Sequence, residues 1–303
     1  MAGVLFILLL LFMFFRTTLA LSNCTHLFNT AVINNDTLFI DGGEMHTLLP
    51  NGTITTKAIY DLETVDLSKS WKNSDSDLFN YISKPYNASH PDKYPPTINN
   101  GASWSDGENL YFYGGYVSDW GGPPVPPLGT WRYIIAVNNW TNTGFWGVPL
   151  VRLSEGGSMR SSVDKKAYYL SGILHPAGNP SFAGTPGADV YIVSGLISLN
   201  MANLEWTNYS TSAINNYGTI GAGYVGLIES VGDKGVIAAF GGETGGATIT
   251  EPEHGFNSSS LKDFIQQTLR KAYDEHGLSP LWFIKINPRL SERRFSRRLV
   301  IRR

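Results

Sequence analysis

A short apolar strand running into a pair of glycines recurs along this chain and constrains its fold more than any other feature. It stands at Val236-Ile-Ala-Ala-Phe-Gly-Gly-Glu243, at Leu38-Phe-Ile-Asp-Gly-Gly-Glu44 and at Leu110-Tyr-Phe-Tyr-Gly-Gly115. A fourth copy, Ala167-Tyr-Tyr-Leu-Ser-Gly172, has serine in place of the first glycine. Paired glycines permit positive φ and a close approach of backbones, as a tight turn out of a strand requires. The second glycines, Gly43, Gly115, Gly172 and Gly242, are 72, 57 and 70 residues apart. In the first three units a tryptophan follows after 28, 25 and 34 residues, at Trp71, Trp140 and Trp206. Such a period marks a repeat architecture. A lone sheet of four short strands cannot bury both faces, so the units must stack on one another. The tryptophans are expected to fill the space between neighbouring sheets.

In the first unit the strands are expected at Leu27 to Ile33, Thr37 to Ile40, Met45 to Leu49 and Thr56 to Leu62, with Val65 to Trp71 closing the unit. The segment from Ser83 to Asn100, rich in Pro and Asn, reads as a polar link to the second unit. Gly- and Pro-rich stretches from Ser118 to Gly129 and from His175 to Gly187 read as loops. After the fourth glycine pair the pattern changes. Lys262 to His276 has helical spacing, Leu281 to Ile286 reads as one more strand, and Asn287 to Arg303 holds seven arginines.

Charged residues are only 16% of the 303, aromatics are 13%, and there are 32 glycines, a composition that suits an all-β protein facing the outside of the cell. The formal net charge of -2 argues against nucleic acid as a partner. The apolar run Val4 to Phe15 is shorter than the about 20 residues of a membrane span, and small residues follow it around Ala20. Residues 1–20 therefore read as a secretory signal peptide, although no Lys or Arg precedes the run; an uncleaved anchor is the competing reading. Sequons for N-glycosylation stand at Asn23, Asn35, Asn51, Asn87, Asn139, Asn208 and Asn257. A chain rich in Asn, Ser and Thr makes some of these by chance. Cys24 is the only cysteine, so no disulfide within the chain holds the fold.

The apolar run, the glycine pair, the tyrosine-bearing strand and the spaced tryptophan together resemble the kelch repeat. Val65 to Trp71, Gly101 to Asp106 and Val231 to Val236 look like stretches of the secreted or cell-wall kelch proteins of filamentous fungi, akin to the central domain of galactose oxidase. The resemblance implies an all-β, kelch-type β-propeller over residues 23–286. Four blades are recognisable, around Gly42-Gly43, Gly114-Gly115, Ser171-Gly172 and Gly241-Gly242, with part of a fifth at Trp282. Six such blades would need roughly 400 residues, so the propeller is expected to be shortened at its C-terminus. Three explanations compete: a small closed ring, a dimer that covers the open blade edge, or an altered C-terminus in which the basic tail, residues 287–303, carries no selected structure. The last is favoured; an electrostatic tail for anionic partners is its rival.

The copper radical oxidases of this fold need imidazole and tyrosine ligands and a cysteine crosslinked to a tyrosine. Here Cys24 lies outside every blade and the six histidines form no close pair, so no metal, cofactor or catalytic residue is assigned. No nucleophile elbow, zinc-protease motif or phosphate loop occurs. Asp41, Glu44 and Glu243 stand beside glycine turns. They could act as paired acid and base on a glycosidic bond, but such acids more often satisfy local backbone N–H groups. His46 and His175 follow two of the turns, where they either face a central channel or stand in surface loops. Tyr116, Trp120, Trp131 and Trp146 cluster around the loop of the second unit, and exposed aromatic faces stack on sugars and anchor interfaces. The expected ligand contacts are Trp120, Tyr116 and His175. The sequence thus points to a secreted, glycosylated, non-catalytic module that binds a glycan or a protein at its loops. The alternative is an enzyme or accessory protein in extracellular oxidation or secondary-metabolite processing, akin to the copper radical oxidases.

Overall fold

Turn chemistry sets the first hairpin: Asn35 adopts φ 50° between two short strands, in the left-handed region that Asn tolerates better than most residues. The strands it joins are β2 (Thr30–Asn34) and β3 (Thr37–Asp41), preceded by β1 (Cys24–Leu27). The chain continues through β4 (Glu44–Leu48), β5 (Ile54–Ala58), β6 (Leu62–Asp66), β7 (Asn80–Ile82), β8 (Asn99–Ser105), β9 (Asn109–Tyr116), β10 (Thr130–Ile134) and β11 (Asn139–Gly144). It then forms β12 (Gly157–Arg160), β13 (Lys166–Leu170), β14 (Ile173–Leu174), β15 (Tyr191–Ile192), β16 (Leu196–Asn200), β17 (Glu205–Tyr209), β18 (Tyr224–Ile228), β19 (Val236–Phe240), β20 (Glu243–Thr244) and β21 (His254–Gly255). This computed structural model describes residues 24–72, 75–85, 94–117, 129–144, 150–175, 178–179, 191–212, 218–230, 235–240, 243–244 and 254–255. Among them a 3-10 turn spans Ile135–Val137, and no helix is long and apolar enough to cross a membrane. The described residues form an all-β structure. The expected segments at 262–276, 281–286 and 287–303 lie outside the described residues, as does the signal peptide.

The chain divides into two units, residues 1–144 with 177–181, and residues 145–176 with 182–303. The first contains two four-stranded antiparallel sheets, ordered β2-β3-β6-β7 and β11-β10-β9-β8, and a three-stranded sheet β1-β4-β5. The second contains a four-stranded sheet β12-β13-β16-β17, the pair β18-β19, and two-stranded ribbons β14-β15 and β20-β21. Each four-stranded sheet runs in chain order. In two of them a hairpin is inserted after the second strand: β4-β5 between β3 and β6, and β14-β15 between β13 and β16. This corrects the strand count of the first unit. Met45 to Leu49 and Thr56 to Leu62 were expected as the next strands of its sheet after Thr37 to Ile40. Instead β4 and β5 leave the sheet at Gly42-Gly43 and pair with each other and with β1, and the third strand is β6.

The first strands of successive sheets pack on each other, β2 on β8 in the first unit and β12 on β18 in the second. A shared joint recurs there. The Asn100 N–H donates to the Phe28 carbonyl at 2.6 Å, and the Ala222 N–H donates to the Glu155 carbonyl at 2.8 Å. All four residues have positive φ, between 51° and 62°. At the other end of these strands Ser105 donates to Asn34 at 2.5 Å in the first unit, while Ser162 and its N–H bond the Glu229 carboxylate in the second. A tyrosine four residues before the second glycine also recurs: Tyr111 donates to Asp106 at 2.7 Å and Tyr168 to Asp164 at 3.0 Å.

Between the sheets of the first unit lie Phe39, Leu62, Leu110, Phe112, Trp131 and Tyr133, with Trp140 packed against them. Fully burying side chains such as Leu62 and Leu110 stabilises the unit by about 2 kcal/mol each. The Trp140 ring lies 5.2 Å from Phe112 and 4.9 Å from Tyr133. It therefore fills inter-sheet space, as expected. Trp140 and Trp206 occupy equivalent positions, each opposite a residue that pairs five places before the second glycine (Tyr133 to Leu110, Leu199 to Ala167). Trp71 does not belong to this set. It is half exposed in the long β6–β7 connection. Continuing the Thr64–Asn80 register puts Phe79 opposite Val65, in the slot that the tryptophans hold elsewhere. The supposed polar link is corrected as well: Pro95, Pro96, Thr97, Ile98 and Asn99 are buried.

Candidate functional site

The glycine turn of the first unit is where chains from three sheets meet. Gly42 and Gly43 have φ 65° and 84°, and a Cβ on either would overlap a backbone carbonyl, that of Ile98 or of Leu27. The Gly43 N–H bonds the Ile98 carbonyl at 3.3 Å. Only glycine allows both the dihedral and the approach.

A buried ionic layer surrounds this turn. Asp41 ends β3, and its Oδ1 lies 2.5 Å from Lys84 Nζ, with both side chains 4% exposed. Lys84 also donates to the Pro96 carbonyl at 3.0 Å and sits 5.6 Å from the centre of the Trp140 ring. Glu44 opens β4 and accepts from Asn99 Nδ2 of β8 at 2.7 Å; its other oxygen is 3.4 Å from His46 Nε2. His26 on β1 reaches the Gly42 carbonyl through Nε2 at 3.2 Å and Glu63 of β6 through Nδ1 at 3.4 Å. The inserted hairpin sheet is thereby fastened to both four-stranded sheets of the unit.

Burial governs the protonation of this layer. It pushes the Glu63 carboxyl up to about 7, and the negative charges of Asp61 and Asp41 add to the effect. It pushes His26 down, against the opposing pull of the Gly42 carbonyl. With Nε2–H donating to Gly42, the neutral imidazole turns its Nδ1 lone pair toward Glu63. A protonated Glu63 then satisfies both groups with one proton. Burial also pushes Asp41 up, and Lys84 opposes that shift by charge and hydrogen bond.

In the second unit the same position carries Ser171, at φ 56°. Its hydroxyl donates to the Val193 carbonyl at 2.7 Å and accepts from the Ile220 N–H at 3.0 Å. Ile220 stands before β18 as Ile98 stands before β8. One hydroxyl thus performs the fastening that the first unit gives to charged groups. Beside it, the Ser171 N–H bonds the Gly195 carbonyl at 2.7 Å. A polar groove of about 340 Å³ opens there, lined by Ser194, Asn208, Tyr209, Ser210 and Ser212 among others.

Of the expected ligand contacts, Tyr116 ends β9, is half-buried, and its hydroxyl meets Asn100 Nδ2 at 3.4 Å. His175 follows β14 and is half-buried. Trp120 and Trp146 lie outside the described residues. Trp131, grouped with them in the sequence, is a core residue of β10, only 2% exposed. Asp41 and Glu44 are not surface acids serving local N–H groups alone; they join sheets. The side chain of Glu243 lies outside the described residues. Lys84, Glu63, His26 and Asn99 gave no motif, and only the rarity of charge in this chain could have drawn attention to them. Among the described residues no group of three or more His, Cys, Asp or Glu side chains is arranged to hold a metal ion. Of the sequons, Asn35, Asn51, Asn139 and Asn208 are exposed; Asn23, Asn87 and Asn257 lie outside the described residues.

No family model matches the chain, and no curated protein matches it. Among solved structures the chain is similar to one titled "Structure of YjhT", at 12% identity and a TM-score of 0.46. That match covers 73% of this chain and 60% of the other, so the chain spans about three-fifths of its length.

Proposed function

We propose that the chain is a secreted, N-glycosylated module of kelch-type propeller design that binds a glycan or protein partner through the loops at the glycine end of its sheets and has no catalytic centre of its own. The observation that carries this reading is the joint repeated in both units. Asn100 to Phe28 and Ala222 to Glu155 are the same backbone bond made by the same left-handed residues between successive first strands. Such a joint fits sheets stacked blade upon blade. Tyr116 and His175 each follow the glycine turn of their own unit, and each is taken as a ligand contact there. In the first unit the ionisable groups beside the glycine turn, Asp41, Glu44 and Lys84, are engaged with one another's strands and with Asn99 and Pro96, which fits a scaffold better than a reacting centre. The apolar N-terminal run and the four exposed sequon asparagines support passage through the secretory pathway.

Binding of the purified protein to an array of fungal and plant polysaccharides, repeated with Tyr116→Ala, Trp120→Ala and His175→Ala, tests this reading. Loss of a detected interaction in at least one variant is expected. Near-stoichiometric copper in the purified protein would overturn it in favour of an oxidase.

A further inference from the structure

An outer strand exposes unpaired N–H and C=O groups to any other chain, and proteins blunt such edges with short strands, charges or bulk. The outer strands described here differ in length and in how they are blunted. β7 closes the first sheet with only three residues. β5 closes the three-stranded sheet and presents an exposed Lys57. β11 has six residues and no charged residue or Pro, and β17, five residues like β5, has an exposed Glu205 at its start but no Lys, Arg or Pro. On these two the exposed Asn139 and Asn208 head the sequons Asn139-Trp140-Thr141 and Asn208-Tyr209-Ser210. The first strands, β2 packed on β8 in one unit and β12 packed on β18 in the other, carry none.

We infer that N-glycans at Asn139 and Asn208 guard the outer edges of two sheets and keep β11 and β17 from pairing with a second copy of this chain. A new strand must approach to about 4.8 Å to join a sheet. A branched glycan rooted on the edge strand obstructs that approach. At Asn208 the neighbouring groove offers Ser194, Ser210 and Ser212 hydroxyls as partners for the first sugar. The inference rests on the secreted, glycosylated reading proposed above.

The test uses the full chain secreted from a host that installs N-glycans. Intact mass before and after peptide-N-glycosidase treatment gives occupancy, and light scattering across a hundredfold concentration range gives the oligomeric state. The wild type is expected to be occupied at both asparagines and monomeric. Asn139→Gln/Asn208→Gln is expected to shift to dimers and larger species, whereas Thr37→Ala, which removes the sequon at the β2–β3 turn, stays monomeric. Enzymatic deglycosylation of the folded wild type should reproduce the association without any substitution. Occupancy at both sites with a double variant as monomeric as the wild type would overturn the inference and leave the secreted reading standing. So would occupancy only at other sequons, or a wild type that associates with both sites filled. A protein bearing no glycan at any sequon would overturn both.

Discussion

The two units make the same joint between successive sheets and fasten the space around it by different chemistry. In the first, Gly42-Gly43 lets backbones touch, and the surrounding room is filled by Asp41–Lys84, Glu44–Asn99 and Glu63–His26. In the second, Ser171 replaces the first glycine and bonds both neighbours with one hydroxyl. The backbone geometry is therefore the repeated element, and the polar side chains around it differ between the units. The charged version carries a greater risk: removing one partner of a buried ion pair costs far more than removing a neutral hydrogen bond.

The largest effect that would break this comparison lies in the glycines. Gly42→Ala places a Cβ against the Ile98 carbonyl at positive φ. It should cost at least about 3 kcal/mol, because strain at a special dihedral adds to overlap with backbone. Chemical denaturation followed by tryptophan fluorescence measures it. Next comes Lys84→Met, which leaves the buried Asp41 carboxylate uncompensated and should cost about 3–5 kcal/mol. Adding Asp41→Asn should recover much of that loss. A double variant as unstable as the single one would show that the lysine acts through packing on Trp140 and not through its charge.

Glu63→Gln sharpens the comparison through pH. The folded protein holds the Glu63 proton up to about pH 7, whereas an unfolded chain releases it near its ordinary value of 4.5. Stability from this group is therefore lost as pH rises between those values. Glutamine removes the penalty. The variant should match the wild type at pH 4 and exceed it by about 1–2 kcal/mol at pH 8, in thermal melts across that range. Equal pH slopes for the two proteins would count against a protonated Glu63. The smallest effect is expected at Ser171. Ser171→Ala loses two hydrogen bonds and should cost about 1–2 kcal/mol, while Ser171→Gly should cost less because it relieves the positive φ.

Much of this scaffold can be read from the sequence, because positive φ leaves a trace in residue type. The glycine turns mark the end of the second strand at Gly42-Gly43 after β3, Gly114-Gly115 near the end of β9 and Ser171-Gly172 after β13, and Trp140 and Trp206 fall in matching slots. Counting from the glycines failed at Trp71, since a long β6–β7 connection moves the register and gives the slot to Phe79. Thr97-Ile98 and Thr219-Ile220 lead into equivalent strands, yet the left-handed residues that follow are Asn100 and Ala222, with no common side chain to betray them. The buried ionisable groups were illegible for a related reason. Lys84, Glu63 and His26 come from separate elements, and nothing in their local sequence distinguishes a buried ionisable group from a solvated one. For the candidate ligand contacts the sequence supplied residue type, and the structure supplied position for Tyr116 and His175.

Native-state hydrogen exchange at two amides tests the repeated joint most directly. The Asn100 and Ala222 N–H groups bond the Phe28 and Glu155 carbonyls between packed first strands. Both are expected among the last amides of their units to exchange, despite lying outside or at the margin of regular strand pairing. Exchange of either at the rate of the exposed turn around Asn35 would contradict a common joint between successive sheets.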